Sequence, residues 1–205
     1  MTAKHDAWSE AITDHFRQSC SALEAAAADA DMLKAMRTIA ERMAQALRAG
    51  NKILIAGNGG SAADAQHIAG EFLARLNFDR SPLPVIALTT DTSVLTAIGN
   101  DYGFDQVFER QVRGHGRKGD IYIAISTSGR SPNILSSLKA ARAIGVTTVG
   151  FTGKGERAMR PLCDICLQAP SDQTPLIQQI HIVAAHAICG VVEHELFRGA
   201  NPMTR

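Results

Sequence analysis

The stretch KILIAGNGGSAADAQHIAGEFLARL, residues 52–76, decides the fold. KILIAG (52–57) is a short, almost wholly apolar run closed by glycine, the pattern of a strand buried on both faces. Beyond the glycines the composition turns to Ala, Gln, Glu and Leu, which are good helix formers, so 61–76 reads as a helix with Ser61 as its N-cap. Outward from this unit the alternation repeats. PVIAL (84–88), DIYIAIS (120–126), VTTVGFT (146–152) and DICLQA (164–169) read as strands. Residues 92–113, with a break at Gly99–Gly103, then 131–144 and 174–197, read as helices. Strands alternating with helices imply a parallel sheet covered on both faces, an α/β fold. Upstream, Leu33, Met36, Ile39, Met43 and Leu47 recur at helical spacing. Residues 6–48 are therefore expected to form two helices, broken near Asp29–Asp31 and stopped at Gly50. The expected organisation is one structural unit, with N-terminal helices over 1–50 and the α/β body over 51–198.

The bulk properties suit such a body. The chain has 205 residues, 45% hydrophobic and 20% charged, with a net charge of +1. That is long enough for one sizeable core and offers no single-sign field to draw in nucleic acid. No run of about 18 apolar residues is present, so no membrane span is expected. The start, MTAKHDAWSEAITDHF, lacks the basic and apolar segments of a secretory signal, so a cytoplasmic location is expected. Of the four cysteines, Cys163 and Cys166 form a C-x-x-C pair. A zinc site needs a second ligand pair nearby, and a redox pair sits at a helix start. PLCDICLQA instead reads as strand, so two buried structural thiols are expected.

Several short motifs carry polar chemistry. GNGGSA (57–62) sits between strand and helix, where Asn58, Gly59, Gly60 and Ser61 surround backbone N–H groups suited to an anion. The same loop fits a dinucleotide fingerprint through Gly57, Gly59 and Ala62, but the acidic partner expected about 20 residues on is missing; Asp91 is further away. STSGRS (126–131) places the hydroxyls of Ser126, Thr127, Ser128 and Ser131 after a strand, a phosphate cradle or a capped turn. His67 and Glu71 are four apart on one helix and share a face, which suits a divalent metal and also arises on solvated faces. Gln178 and His186 are eight apart in a strongly apolar helix, so both can face one side. A hydrogen-bonded core histidine is the alternative there, and His181 competes as a ligand. Asn100–Asp101 is either a turn or a carboxylate for a sugar hydroxyl.

AGNGGSAADAQHIAGEF, ALTTDTSVLTAIGNDYGF, GDIYIAISTSGRSPNIL and IQQIHIVAAH, in this order, resemble segments of the phosphoheptose isomerases, members of the sugar isomerase (SIS) domain family. The likeness covers about residues 52–193. It implies a flavodoxin-like, three-layer, five-stranded parallel sheet. It implies a homotetramer with active sites at subunit interfaces, and one Zn²⁺ per subunit held by His67, Glu71, Gln178 and His186. Substrate contacts would fall on Asn58, Gly59, Gly60, Glu71, Asn100, Asp101, Ser126, Thr127, Ser128, Ser131 and Gln178. The implied substrate is a phosphosugar: sedoheptulose 7-phosphate becomes D-glycero-D-manno-heptose 7-phosphate, for bacterial heptose and lipopolysaccharide core. Glu71 would serve as base, His186 as acid, and Asp101 in ring opening. The chain departs from the family at Leu176 and Gln179, where Arg and Glu are usual, and at Gly155–Arg157, where Gly-Gly is usual.

Two relatives of the fold compete. A non-enzymatic paralogue binds the replication initiator DnaA, but it lacks metal ligands where Glu71 and His186 stand. A sugar-phosphate-sensing regulator needs a DNA-binding segment, and no helix-turn-helix stands out here.

Overall fold

A computed structural model describes residues 2–155 and 157–197, and the side chains from residue 6 onward. Glu156, part of the Gly155–Arg157 departure, lies outside the described residues. In chain order the elements are α1 (Thr2–Ala28), α2 (Ala30–Arg48), β1 (Ile53–Gly57), α3 (Gly60–Leu73), β2 (Val85–Ala87), α4 (Thr92–Tyr102), α5 (Val107–His115), β3 (Ile121–Ile125), α6 (Pro132–Ala143), β4 (Thr147–Gly153), β5 (Ile165–Ala169) and α7 (Thr174–Leu196). Short 3-10 turns at Phe104–Gln106 and Arg160–Leu162 lead into α5 and β5.

The five strands are parallel, in the order β2-β1-β3-β4-β5. Ile53 pairs with Val85 on one side and Ile121 on the other, and Val149 pairs with Ile165. This is the flavodoxin-like order, and the expected fold class holds. From β1 the chain winds out to β2 and then returns to β3 on the opposite flank. The loops after β1 and β3 therefore diverge, and ligands of open α/β sheets bind in the crevice so made.

The strands alternate between two apolar layers. Ile53, Ile55, Ile121, Ile123, Val149 and Phe151 face α2, α3 and α7, where Ile39, Met43, Ile68, Phe72 and Ile180 complete the layer. Leu54, Ala56, Tyr122 and Ala124 face α5 and α6 through Val112, Phe108, Ile134 and Leu138. β1 and β3 are buried along their whole length. That explains why their sequences are continuously apolar rather than alternating. The break expected near Asp29–Asp31 is a cap: the Asp29 carboxylate accepts from Met32 N at 3.0 Å and starts α2. α7 is long and apolar enough to cross a membrane by composition, with a mean hydropathy of 1.5 over its best window, and half of that window is buried inside the chain.

Four local expectations need correction. Ser61 is not the N-cap of α3. Gly59 takes that place with φ 56, the helix begins at Gly60, and Ser61 is buried in its first turn. α3 also ends at Leu73 rather than residue 76. Cys163 lies before β5 rather than in it, its thiol donating to Met159 O at 3.2 Å. Cys163 and Cys166 are both half-buried rather than buried, and both are free thiols.

Candidate active site

The loop after β1 is shaped by close backbone approach. A Cβ on Gly57 would lie 2.5 Å from the backbone oxygen of Ser61, so the chain can fold back there only because Gly57 has none. Asn58 does not point freely into the crevice. Its amide exchanges two hydrogen bonds with Asn133, at 3.0 and 2.9 Å, and so ties this loop to the first turn of α6. Asn133 is 2% exposed and was not picked out from sequence; a polar side chain directly behind Ser131–Pro132 was the available signal.

The loop after β3 folds its hydroxyls inward. Ser126 Oγ lies 3.1 Å from Ser131 Oγ and accepts from Gly129 N at 3.1 Å. Gly129 has φ 62, a left-handed turn that a side chain resists. Thr127 O receives Gly153 N at 3.2 Å, which fixes the loop against the end of β4. Ser131 caps α6 without a side-chain bond to the helix, leaving its hydroxyl for Ser126.

His67, Glu71 and His186 converge between α3 and α7. His67 Nε2 lies 2.9 Å from His186 Nε2 and 3.1 Å from Glu71 Oε1. His186 Nε2 lies 3.9 Å from the same oxygen. α3 contributes two of these groups one turn apart, and α7 packs alongside and contributes the third. All three donor atoms fall within 4.8 Å of one another. Two imidazole nitrogens and a carboxylate oxygen aimed at one point form a donor set that fits a zinc ion. Asp64, one turn before His67, has a buried Oδ2 with no hydrogen-bond partner. Burial raises its pKa, and the neighbouring His67 opposes the shift.

Other expected residues stand apart from this cluster. The Gln178 amide lies against the first turn of α3, where a Cβ on Gly60 would collide with it, and it forms no hydrogen bond with the three donors. Asn100 and Asp101 are exposed on the last turn of α4 and hydrogen-bonded to each other at 2.8 Å; neither forms a hydrogen bond with Glu71 or His186. His181, the competing ligand, faces the core: its Nε2 meets Thr152 O at 3.2 Å. The departures from the family also find places. Leu176 is buried at 6% exposure, and Gln179 Nε2 lies 3.3 Å from His15 Nε2 on α1.

A family model described as SIS domain matches residues 14–153. The phosphoheptose isomerase of Bradyrhizobium sp. (strain ORS 278) is 55% identical over 195 residues, 95% of this chain and 98% of that one. The chain belongs to the phosphoheptose isomerases of the SIS domain family. It is an enzyme, an isomerase. Solved structures agree in fold. The phosphoheptose isomerase of Neisseria gonorrhoeae superposes with a TM-score of 0.85 at 41% identity, covering 90% of this chain and 98% of that one. The enzyme from Francisella tularensis gives 0.86 at 36% identity, covering 90% and 97%. Membership in this enzyme family removes the ground for reading the chain as a dinucleotide-binding dehydrogenase.

Proposed function

We propose that the chain interconverts sedoheptulose 7-phosphate and D-glycero-D-manno-heptose 7-phosphate through an enediol, in the cytoplasm, for bacterial heptose and lipopolysaccharide core. The observation that carries this reading is the convergence of the His67, Glu71 and His186 donor atoms between α3, the helix that starts from the β1 loop, and α7. The heptose follows the names of the relatives. The phosphate end suits the 126–131 loop, whose hydroxyls and N–H groups bind an oxyanion without a cation. Anchored there, a seven-carbon chain extends its carbonyl end toward Glu71, and remote binding energy positions the reacting carbons.

Isomerisation moves one proton between adjacent carbons and another between their oxygens. Both imidazoles approach Glu71 through Oε1, and no hydrogen bond engages Oε2 among the described residues. Oε2 is therefore the oxygen assigned to lift the proton from one carbon and return it to the next. His186 supplies and removes the proton on oxygen. Asp101, paired with Asn100, is assigned to ring opening. It would act from an adjoining subunit or after substrate closes the crevice, since within this chain its hydrogen bond is to Asn100 rather than to Glu71. Zn²⁺, held by His67, Glu71, His186 and a Gln178 side chain turned from Gly60, would polarise the substrate's carbonyl and hydroxyl oxygens. Asn58, Gly59, Gly60 and Ser61 complete the sugar-binding wall.

A homotetramer forms part of this reading. Ile12 and Phe16 are 61% and 68% exposed along α1, and Val183 and Val191 are 50% and 57% exposed along α7. Such apolar side chains on neighbouring helices suit burial against further copies of the chain.

The deciding experiment follows the aldose by NMR when metal-loaded and chelated protein meets sedoheptulose 7-phosphate. Turnover lost on chelation and restored by zinc is expected. Glu71→Gln should fold normally and lose about 10²- to 10⁴-fold in rate. Near-normal turnover in that variant removes Glu71 from the base role. Absence of turnover and of metal from the wild type would instead favour the DnaA-binding paralogue.

A further inference from the structure

Glu71 stands in the last turn of α3, which ends at Leu73. The final carbonyls of a helix lack partners within it and that turn frays readily. Here one guanidinium takes them. Arg80 Nη2 donates to Glu71 O at 2.7 Å, and Nη1 donates to Phe72 O at 2.6 Å and Ala74 O at 3.2 Å. The Nε of the same side chain donates to Glu193 Oε1 at 3.1 Å, so Arg80 joins the end of α3 to α7.

Glu193 closes the arrangement from the other helix. It also accepts from Leu76 N at 3.1 Å, Asn77 N at 2.9 Å and Asn77 Nδ2 at 3.0 Å. Both charged side chains are 1% exposed. Glu193 follows His186 by seven residues, two helical turns, so both project from one face of α7. Buried Cys189 stands between them on α7; burial first, then Glu71 and Glu193, push its thiol up to about 12. One face of α7 thus presents His186 to the Glu71 carboxylate and Glu193 to the arginine that holds the Glu71 backbone.

We propose that Arg80 and Glu193 are positioning residues for the His67–Glu71–His186 cluster, setting the approach of α3 to α7 and hence the convergence of its donor atoms. The inference rests on the metal-binding reading of that cluster. A buried ion pair is no proof of net stabilisation, since two charges must be stripped of water. What singles this pair out is its direct bond to the backbone of Glu71. Lysine cannot replace the arginine, because one ammonium lacks the planar fork that reaches Glu193 and the carbonyls together.

The test compares wild type, Arg80→Lys and a control, Lys52→Met. The control breaks the Lys52–Asp120 pair, 2.6 Å long, which joins the starts of β1 and β3 and shares no hydrogen bond with Arg80, Glu193 or Glu71. Co²⁺ affinity by chelator competition, the Co²⁺ absorption spectrum and the melting temperature of the metal-free protein are read for each. Arg80→Lys should lose about 10- to 100-fold in Co²⁺ affinity, with an altered spectrum. Lys52→Met should melt earlier with affinity unchanged. Wild-type affinity and spectrum in Arg80→Lys overturn the proposal, as does an equal affinity loss in Lys52→Met. If Arg80→Lys does not fold, the double variant Arg80→Met with Glu193→Leu removes both charges together and carries the same readouts. A wild type that binds no Co²⁺ overturns the metal reading itself, an outcome distinct from either result above.

Discussion

His181 and His186 stand five residues apart on α7 and meet opposite surroundings. The His186 side chain is 42% exposed beside Glu71 and His67, whereas His181 is 1% exposed against Thr152 and the Phe151 ring. Burial holds the His181 pKa down at about 4, with the bond to Thr152 O opposing. The folded state therefore keeps this imidazole neutral where the unfolded chain, at an ordinary 6.5, binds a proton. Its contribution to stability is complete above pH 6.5 and is lost as pH falls through 4. The difference is on the order of 3 kcal/mol. Urea midpoints taken from pH 7 to 4 should fall more steeply for wild type than for His181→Gln, which keeps a donor for Thr152 O. Parallel slopes would show that His181 is not the group responsible. Sequence alone left these two histidines as rivals, because helical spacing tells which residues share a face but not what that face meets. Glu71 and His67 were legible for the opposite reason: their partner lies one turn away on their own helix.

At the scale of elements, the glycine loop and α3 combine two kinds of constraint. At Gly57 the obstruction is backbone: an added Cβ meets Ser61 O at 2.5 Å and Ser61 C at 2.7 Å. At Gly60 the obstruction is the far end of a flexible side chain, the Gln178 amide. Gly57→Ala should therefore cost about 1–3 kcal/mol of stability. Gly60→Ala should change the melting temperature little and instead displace Gln178, raising KM or lowering kcat. Thermal denaturation and turnover measured on both variants check this. A Gly60→Ala enzyme with wild-type kinetics would remove Gln178 from the substrate and metal wall. The strand, turn and helix were all readable from KILIAGNGGSAADAQHIAGEF. The helix ends were not. The start depends on a positive φ at Gly59 rather than a hydroxyl cap, and the end on Arg80 and Glu193, the latter more than a hundred residues away.

For the whole molecule, the strand order follows from patterns the sequence shows openly, since five apolar runs separated by helices admit few arrangements. The crevice between β1 and β3 follows in turn, and with it the place of both phosphate-type loops. The proposed assembly would supply the other side of that crevice. Asn100 and Asp101 remain exposed on α4, and α1 and α7 keep Ile12, Phe16, Val183 and Val191 in contact with solvent. In the proposed tetramer, copies would bury these helical faces and complete the sites. Phe16→Glu places a charge in that face without touching either core layer, because Phe16 is 68% exposed in the single chain. Light scattering should show a tetramer for the wild type and a smaller species for Phe16→Glu, with helical circular dichroism preserved. Turnover should fall with the loss of assembly and recover where higher protein concentration restores it. A wild-type monomer with full turnover would instead place the complete site within one chain, and Asp101 would then have to reach Glu71 by movement of α4.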